Sequence, residues 1–239
     1  TEMEEHGTAY DEVLKKAQEL GYAERNPEAD VEGYDAGRKL AILSSLLMGK
    51  TVKYEDVHTE GITGLTAADF AYAKRLRMTI KLLAKGMRTE DDRLLAVVAP
   101  HMLSKRHPLS GVRGVFNAIY VDGNLLGPTM YYGQGAGKLP TASAVVSDVM
   151  DCVRNKENAQ PCIWEDTRVM RAPLGETRKR FFFRVREKDA ERAETLFAGA
   201  KRIEDVADGE TGFLTETMRE DAFAKGLSEI PALSWLRAE

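Results

Sequence analysis

The chain has 239 residues, 34 Lys and Arg against 38 Asp and Glu, and a formal net charge of −4, with 43% hydrophobic and 30% charged residues. That is an ordinary globular composition with room for one large domain, or a medium domain and a small one. It gives no electrostatic reason to expect nucleic acid as a partner, and no apolar run approaches the roughly 18–20 residues that cross a bilayer. No secretory signal is visible, so the cytoplasm is the expected compartment and no membrane contact is expected. The chain opens on Thr1 without a Met, which reads as the tail of a longer protein.

The first predicted helix is 8–20, where Tyr10, Val13, Leu14, Ala17 and Leu20 recur at helical spacing behind a Thr8–Asp11 capping pattern. Gly21 stands where a left-handed cap is wanted, and Asn26-Pro27 makes a turn. A second helix is expected over about 35–48, closed by Gly49, its face of Leu40, Ile42, Leu43, Leu46 and Leu47 mostly buried. A third follows the Thr66–Asp69 capping box and is read through to a stop at Gly86. Residues 94–99 form a buried-strand candidate ending at Pro100. Two strands, 116–121 and 125–132, flank the hairpin signal Asp122-Gly123. A helix then runs from Thr141 to about Arg154.

Composition turns polar and Pro-containing near Asn155, which places a linker at 155–177 between a unit at 1–154 and one at 178–239. The second unit reads strand, helix, strand, strand, helix, strand, the βαββαβ ferredoxin-like plan that ACT modules use. The predicted class is therefore α/β (α+β): a mixed sheet covered by helices, plus a small ACT-like domain.

Chemistry concentrates between Ala17 and Lys39. Carboxylates, among them Glu24, Glu28, Asp30 and Asp35, precede a single lysine at the start of the second helix. Converging acids suit an ammonium ligand, and Asp35 and Lys39, four apart, share one helix face. The helix N-terminus disfavours a charged ammonium there while Asp35 favours it, and the sequence leaves that balance open. An isolated Asp-x-x-x-Lys is usually just a solvated surface pair.

The gaps carry more than the pair. Ala17, Gly21, Tyr22, Ala23, Asn26, Pro27, Asp30, Val31, Gly33, Asp35 and Lys39 together resemble the signature run of homoserine dehydrogenases. The resemblance implies NAD(P)-dependent interconversion of aspartate semialdehyde and homoserine, in threonine, methionine and isoleucine biosynthesis. It implies Lys39 as proton donor and acceptor, Glu24 and Asp35 at the substrate amino group with Asp30 close by among the substrate-binding residues, and Gly21 beside the cofactor.

The segment GQGAGKLPTASAVVSD at 133–148 also resembles this family and would put Gly135 against the cofactor. Taken alone, its glycines fail both nucleotide templates. Tyr132 and Leu139 break the Walker A pattern, and Lys138 stands where the dinucleotide fingerprint needs its third glycine. A turn capped by glycines or an amide cradle before a helix remains. By the resemblance, the dinucleotide-binding domain and the backbone that binds a monovalent cation are absent from these residues.

Cys152 and Cys162, and His6, His58, His101 and His107, lack metal-ligand spacing, so no metal site is expected. The loop after the first strand of the ACT-like unit, REKDAERAE, has no Gly or Pro, and threonine as effector is only suggested by the βαββαβ order. A homodimer or homotetramer is expected. The competing class is an amino-acid-sensing module that binds without turnover.

Overall fold

The chain runs α1 (Glu2–His6), α2 (Tyr10–Glu19), α3 (Glu28–Val31), α4 (Tyr34–Met48), β1 (Lys50–Thr51), β2 (His58–Thr59) and α5 (Ala67–Arg75). It continues through β3 (Met78–Arg88), β4 (Leu94–Ser104), β5 (Phe116–Gly123), β6 (Gly127–Gln134), α6 (Lys138–Arg154) and β7 (Glu165–Arg168). The rest is β8 (Arg178–Arg186), α7 (Ala190–Leu196), β9 (Lys201–Ile203), β10 (Glu210–Leu214), β11 (Met218–Arg219), α8 (Glu220–Leu227) and β12 (Ser234–Ala238). The structure is a computed structural model and describes residues 2–8, 10–19, 25–135, 137–157 and 163–239.

One mixed sheet organises the molecule in the order β2-β4-β12-β8-β10-β9, with β3 on the far side of β4 and β11 paired to β8. The mixed α/β class expected from the sequence is present. Within 178–239 the strand order β12-β8-β10-β9 is antiparallel throughout, and β12 then runs parallel to β4. The sheet therefore passes without a break from the last strand into the first part of the chain. The 155–177 stretch contains β7, parallel to β1, and places Met170 and Ala172 on the Leu94 backbone.

Three successive phenylalanines show how β8 is buried on both faces. Phe182 packs with Tyr72 of α5, while Phe181 and Phe183 pack with Phe197 and Phe223 beside α7 and α8. Alternation across a strand sends neighbours to opposite faces, and each fully buried side chain contributes about 1.5–3 kcal/mol.

The third helix is shorter than its sequence suggests. It ends at Arg75, Arg77 takes a left-handed φ of 57°, and 78–88 is a strand paired residue for residue with β4. Met78, Thr79 and Ile80 are buried, so burial in the sheet overrides the helical propensity of TIKLLAK. Gly86 is an interior strand residue facing Ser44 and Leu40 of α4, not a helix stop.

β4 likewise runs through Pro100 to Ser104. Proline breaks a ladder only where a partner needs its N–H. On that edge β2 pairs with Val97 and Val98, and β12 takes over at His101 and Met102. Pro100 falls in the gap between them.

The apolar face of α4 is also corrected. Ile42, Leu43, Leu46 and Leu47 point outward, whereas Gly37, Leu40, Ala41, Ser44, Ser45 and Met48 are buried. Small residues face the sheet because the helix lies close on it: a Cβ on Gly86 would stand 3.0 Å from Ser44 Oγ. Ser45 satisfies itself there, donating to the Ala41 carbonyl at 2.9 Å and accepting from the Val52 amide at 3.0 Å. The hairpin turn lies one step beyond Asp122-Gly123, which end β5, and α6 begins at Lys138.

Candidate functional site

α4 starts from Gly33, whose φ of 77° is left-handed. A Cβ there would lie 3.0 Å from Val98 Cγ1 and 3.3 Å from Thr59 Cγ2, so glycine alone lets the helix start this close to β2 and β4. One turn on, Lys39 Nζ lies 2.6 Å from Asp35 Oδ2, with the side chains 72% and 45% exposed. The predicted pair is thus assembled at the first turn and open to solvent. An exposed pair holds itself weakly, so a ligand charge can replace either partner at small cost.

Gly37 sits between them in the helix. Its would-be Cβ lies 2.8 Å from Tyr54 Cε2, and the missing side chain lets the Tyr54 ring rest on the helix. An interior glycine costs about 1 kcal/mol in helix propensity. In exchange for it, Tyr54 meets Tyr34 edge-on at 6.3 Å, and the Arg38 guanidinium lies 5.9 Å from the Tyr54 ring centre. Sequence reasoning missed this aromatic flank. The glycine inside an otherwise good helix was its only signal.

Asp30 is exposed on α3, which packs against the start of α4. It precedes the Gly33 turn in the chain, and Asp35 follows it. Glu24 and Gly21 lie outside the described residues. Gly135 ends the β5–β6 hairpin: its amide donates to the Val115 carbonyl at 3.3 Å, and its Cα abuts the Asn117 side chain. The hydrogen bond that places it belongs to the hairpin, not to α4. Beyond it, Gly137 takes a φ of 110° at the start of α6, and a Cβ on Gly133 would meet open space. These glycines lead into a 17-residue helix. Among the described residues, no group of three or more His, Cys, Asp or Glu could hold a metal ion.

Behind the site, the segment after β2 ties the α3–α4 junction to the sheet. The Ile62 amide donates to the Val31 carbonyl at 2.8 Å, Thr63 Oγ1 to Glu32 Oε1 at 3.0 Å, and the Glu60 amide to the Val98 carbonyl at 2.7 Å. The Glu60 carboxylate meets both terminal nitrogens of Arg237 at 2.9 and 2.8 Å, and His58 Nε2 at 2.7 Å. Burial alone would raise the Glu60 carboxyl, but the hydrogen bonds from His58 and Arg237 outweigh it and hold it at about 2. Arg237 also binds Glu220 of α8, through Nε at 3.0 Å and a terminal nitrogen at 2.5 Å. Glu60 and Arg237 are 177 positions apart, beyond what any local pattern could join.

The described residues thus place an exposed acid–lysine turn on a mixed α/β scaffold, beside a second acidic helix. A family model for homoserine dehydrogenase matches residues 1–150. The chain belongs to the homoserine dehydrogenase family. It is 53% identical over 154 residues to the homoserine dehydrogenase of Synechocystis sp., covering 63% of this chain and 36% of that one. It is 40% identical over 199 residues to the enzyme of Pseudomonas aeruginosa, covering 79% and 45%.

Among solved structures, a homoserine dehydrogenase from Thiobacillus denitrificans matches with a TM-score of 0.87 and 32% identity, over 100% of this chain and 60% of that one. The Staphylococcus aureus enzyme at pH 6.0 matches at 0.80 and 30% identity, over 100% and 61%. The chain thus spans less than half the length of these curated relatives and about three-fifths of the solved ones. No helix among the described residues is long and apolar enough to cross a membrane. The family match disfavours the sensor reading.

Proposed function

We propose that this chain supplies the substrate-binding and acid/base part of a homoserine dehydrogenase, the NAD(P)-dependent enzyme that interconverts aspartate semialdehyde and homoserine. The observation that carries the reading is the Asp35–Lys39 pair at 2.6 Å, open to solvent on the first turn of α4. Asp35, with Asp30 across the Gly33 turn and Glu24 upstream, binds the amino acid's ammonium. With Asp35 engaged there, Lys39 in its neutral form takes the hydroxyl proton of homoserine as the carbon-bound hydrogen departs as hydride, and returns that proton in the reverse direction. NAD(P), when bound, supplies the hydride acceptor or donor. Gly21 and Gly135 offer backbone beside it, and Gly135 has the exposed hairpin position such a contact needs.

The dinucleotide-binding unit and a monovalent-cation site belong, on this reading, outside these residues, since no G-x-G-x-x-G run occurs in them. The role falls in threonine, methionine and isoleucine biosynthesis, in the cytoplasm. Residues 178–239, joined through 155–177 to the catalytic unit at 1–154, form the ACT-like regulatory part, with threonine as candidate effector. Homodimers or homotetramers are supported by the two-stranded β5–β6 hairpin, which leaves Ile119, Val121 and Tyr131 exposed.

Homoserine-dependent reduction of NAD and NADP, by these residues joined to a dinucleotide-binding unit, tests the assignment, with Lys39→Ala as control. Turnover that drops about 10²–10⁴-fold in the variant is expected of an acid/base residue. Turnover that survives the substitution would remove Lys39 from the chemistry.

A further inference from the structure

Asp30 and Asp35 flank the Gly33 turn, and their relative placement depends on what holds residues 31–33. That turn is gripped from behind by residues 59–63. A Cβ on Gly61 would lie 2.8 Å from the Val31 carbonyl and 2.9 Å from Glu32 Cα, so the two backbones are in direct contact. The Ile62 amide and the Thr63 hydroxyl fasten this contact to Val31 and Glu32. Short surface segments of this kind slide unless something fixes their register. Residues 58 and 59 pair with β4 and the Glu60 amide bonds Val98, and a second hold, on the Glu60 side chain, comes from the opposite end of the chain.

Arg237, 1% exposed on β12, takes Glu60 in a two-pronged pair at 2.8 and 2.9 Å, while Glu220 accepts from a terminal nitrogen at 2.5 Å and from Nε at 3.0 Å. A planar guanidinium bound bidentately dictates orientation as well as distance. The Trp235 ring, 4.9 Å from the guanidinium carbon, lies beneath it. Because α8 and β12 hold Arg237, the 178–239 unit grips the Glu60 side chain, one residue from the contact of Gly61 with Val31 and Glu32.

We infer that Glu60 and Arg237 are positioning residues for the amino-acid site, through which the βαββαβ unit fixes the spacing of Asp30 and Asp35. Neither touches the ligand. The inference rests on the proposed homoserine site for its consequence, but its structural half is independent of it. Any displacement of β12 or α8 is transmitted to the Gly33 turn by this pair.

The test compares Glu60→Gln with Glu210→Gln, which removes a carboxylate from the other buried arginine, Arg184, away from this turn. Amide hydrogen exchange at Ile62 and Gly33, thermal midpoints and homoserine titration are measured on all proteins. Glu60→Gln is expected to speed exchange at Ile62 about tenfold and to weaken homoserine binding about tenfold, with Glu210→Gln doing neither. If Glu60→Gln does not fold, Arg237→Lys, which keeps the charge and loses the two-pronged geometry, carries the same comparison. Unchanged exchange at Ile62, or equal changes in Glu210→Gln, would overturn the inference. Should the wild-type chain bind no homoserine, the functional reading fails, and the exchange comparison alone decides the tie.

Discussion

Two aspartates, one buried in the fold and one open to solvent, set two regions of this molecule apart. Asp69 is fully buried: one oxygen accepts from the Thr66 amide at 2.8 Å, and the other from Arg184 Nε at 2.9 Å and Ser234 Oγ at 2.5 Å. Asp35 is half exposed and pairs with Lys39 in solvent. The first charge is saturated inside the protein, where removing one partner leaves another without compensation. The second has lone pairs to spare. Charges that build the fold are closed to ligands, and charges that serve a ligand contribute little to the fold.

The comparison breaks most sharply under one substitution made twice. Asp69→Asn is expected to lower unfolding free energy by about 3–5 kcal/mol, because Arg184 is left undercompensated in the interior. Asp35→Asn should change it by no more than about 0.5 kcal/mol. Urea midpoints of the two variants check both, and equal losses would dissolve the contrast.

A smaller effect concerns pH. His101 is buried, donates Nδ1–H to the Ala99 carbonyl at 2.9 Å, and has no hydrogen-bond partner at Nε2. Burial lowers its pKa from 6.5 to about 4, although the Ala99 hydrogen bond and Glu239 pull the other way. The unfolded chain therefore takes up a proton before the folded one does. Stability is full above pH 6.5 and falls by about 3 kcal/mol as pH drops to 4. Glu60 and Glu239, both held at about 2 by hydrogen bonds that outweigh burial, extend the loss below pH 4.5 as they protonate. Unfolding followed from pH 7 to 4.5 should show this slope, flattened in His101→Gln. An identical slope in the variant would assign it elsewhere.

The smallest expected effect is on the outer face of α4. Ile42→Ser should move stability by no more than about 0.5 kcal/mol in the isolated chain, since that side chain is 57% exposed. A loss of several kcal/mol would mean that the face is covered in solution.

What the sequence disclosed follows from the range of each interaction. Capping at Thr66–Asp69, closure of α4 at Gly49 and the β5–β6 hairpin are local and were legible. So was the Asp35–Lys39 pair, four residues apart. Residues 78–88 were not, because their identity as a strand depends on an eleven-residue pairing with β4 that propensity does not encode. The buried face of α4 was misread because closeness to the sheet selects Gly37, Ala41 and Ser44 over the larger leucines. Glu60 gave no sign of Arg237, and its role emerges only when the last strand enters the sheet beside β4.

The most direct test of the account is calorimetric titration of homoserine into this chain and into its Asp35→Asn variant. The account predicts binding by the wild type and a loss of about 10–100-fold in affinity on removing the charge, the worth of one charge-assisted hydrogen bond. Binding unaltered by Asp35→Asn, or no binding by the wild type, would contradict it.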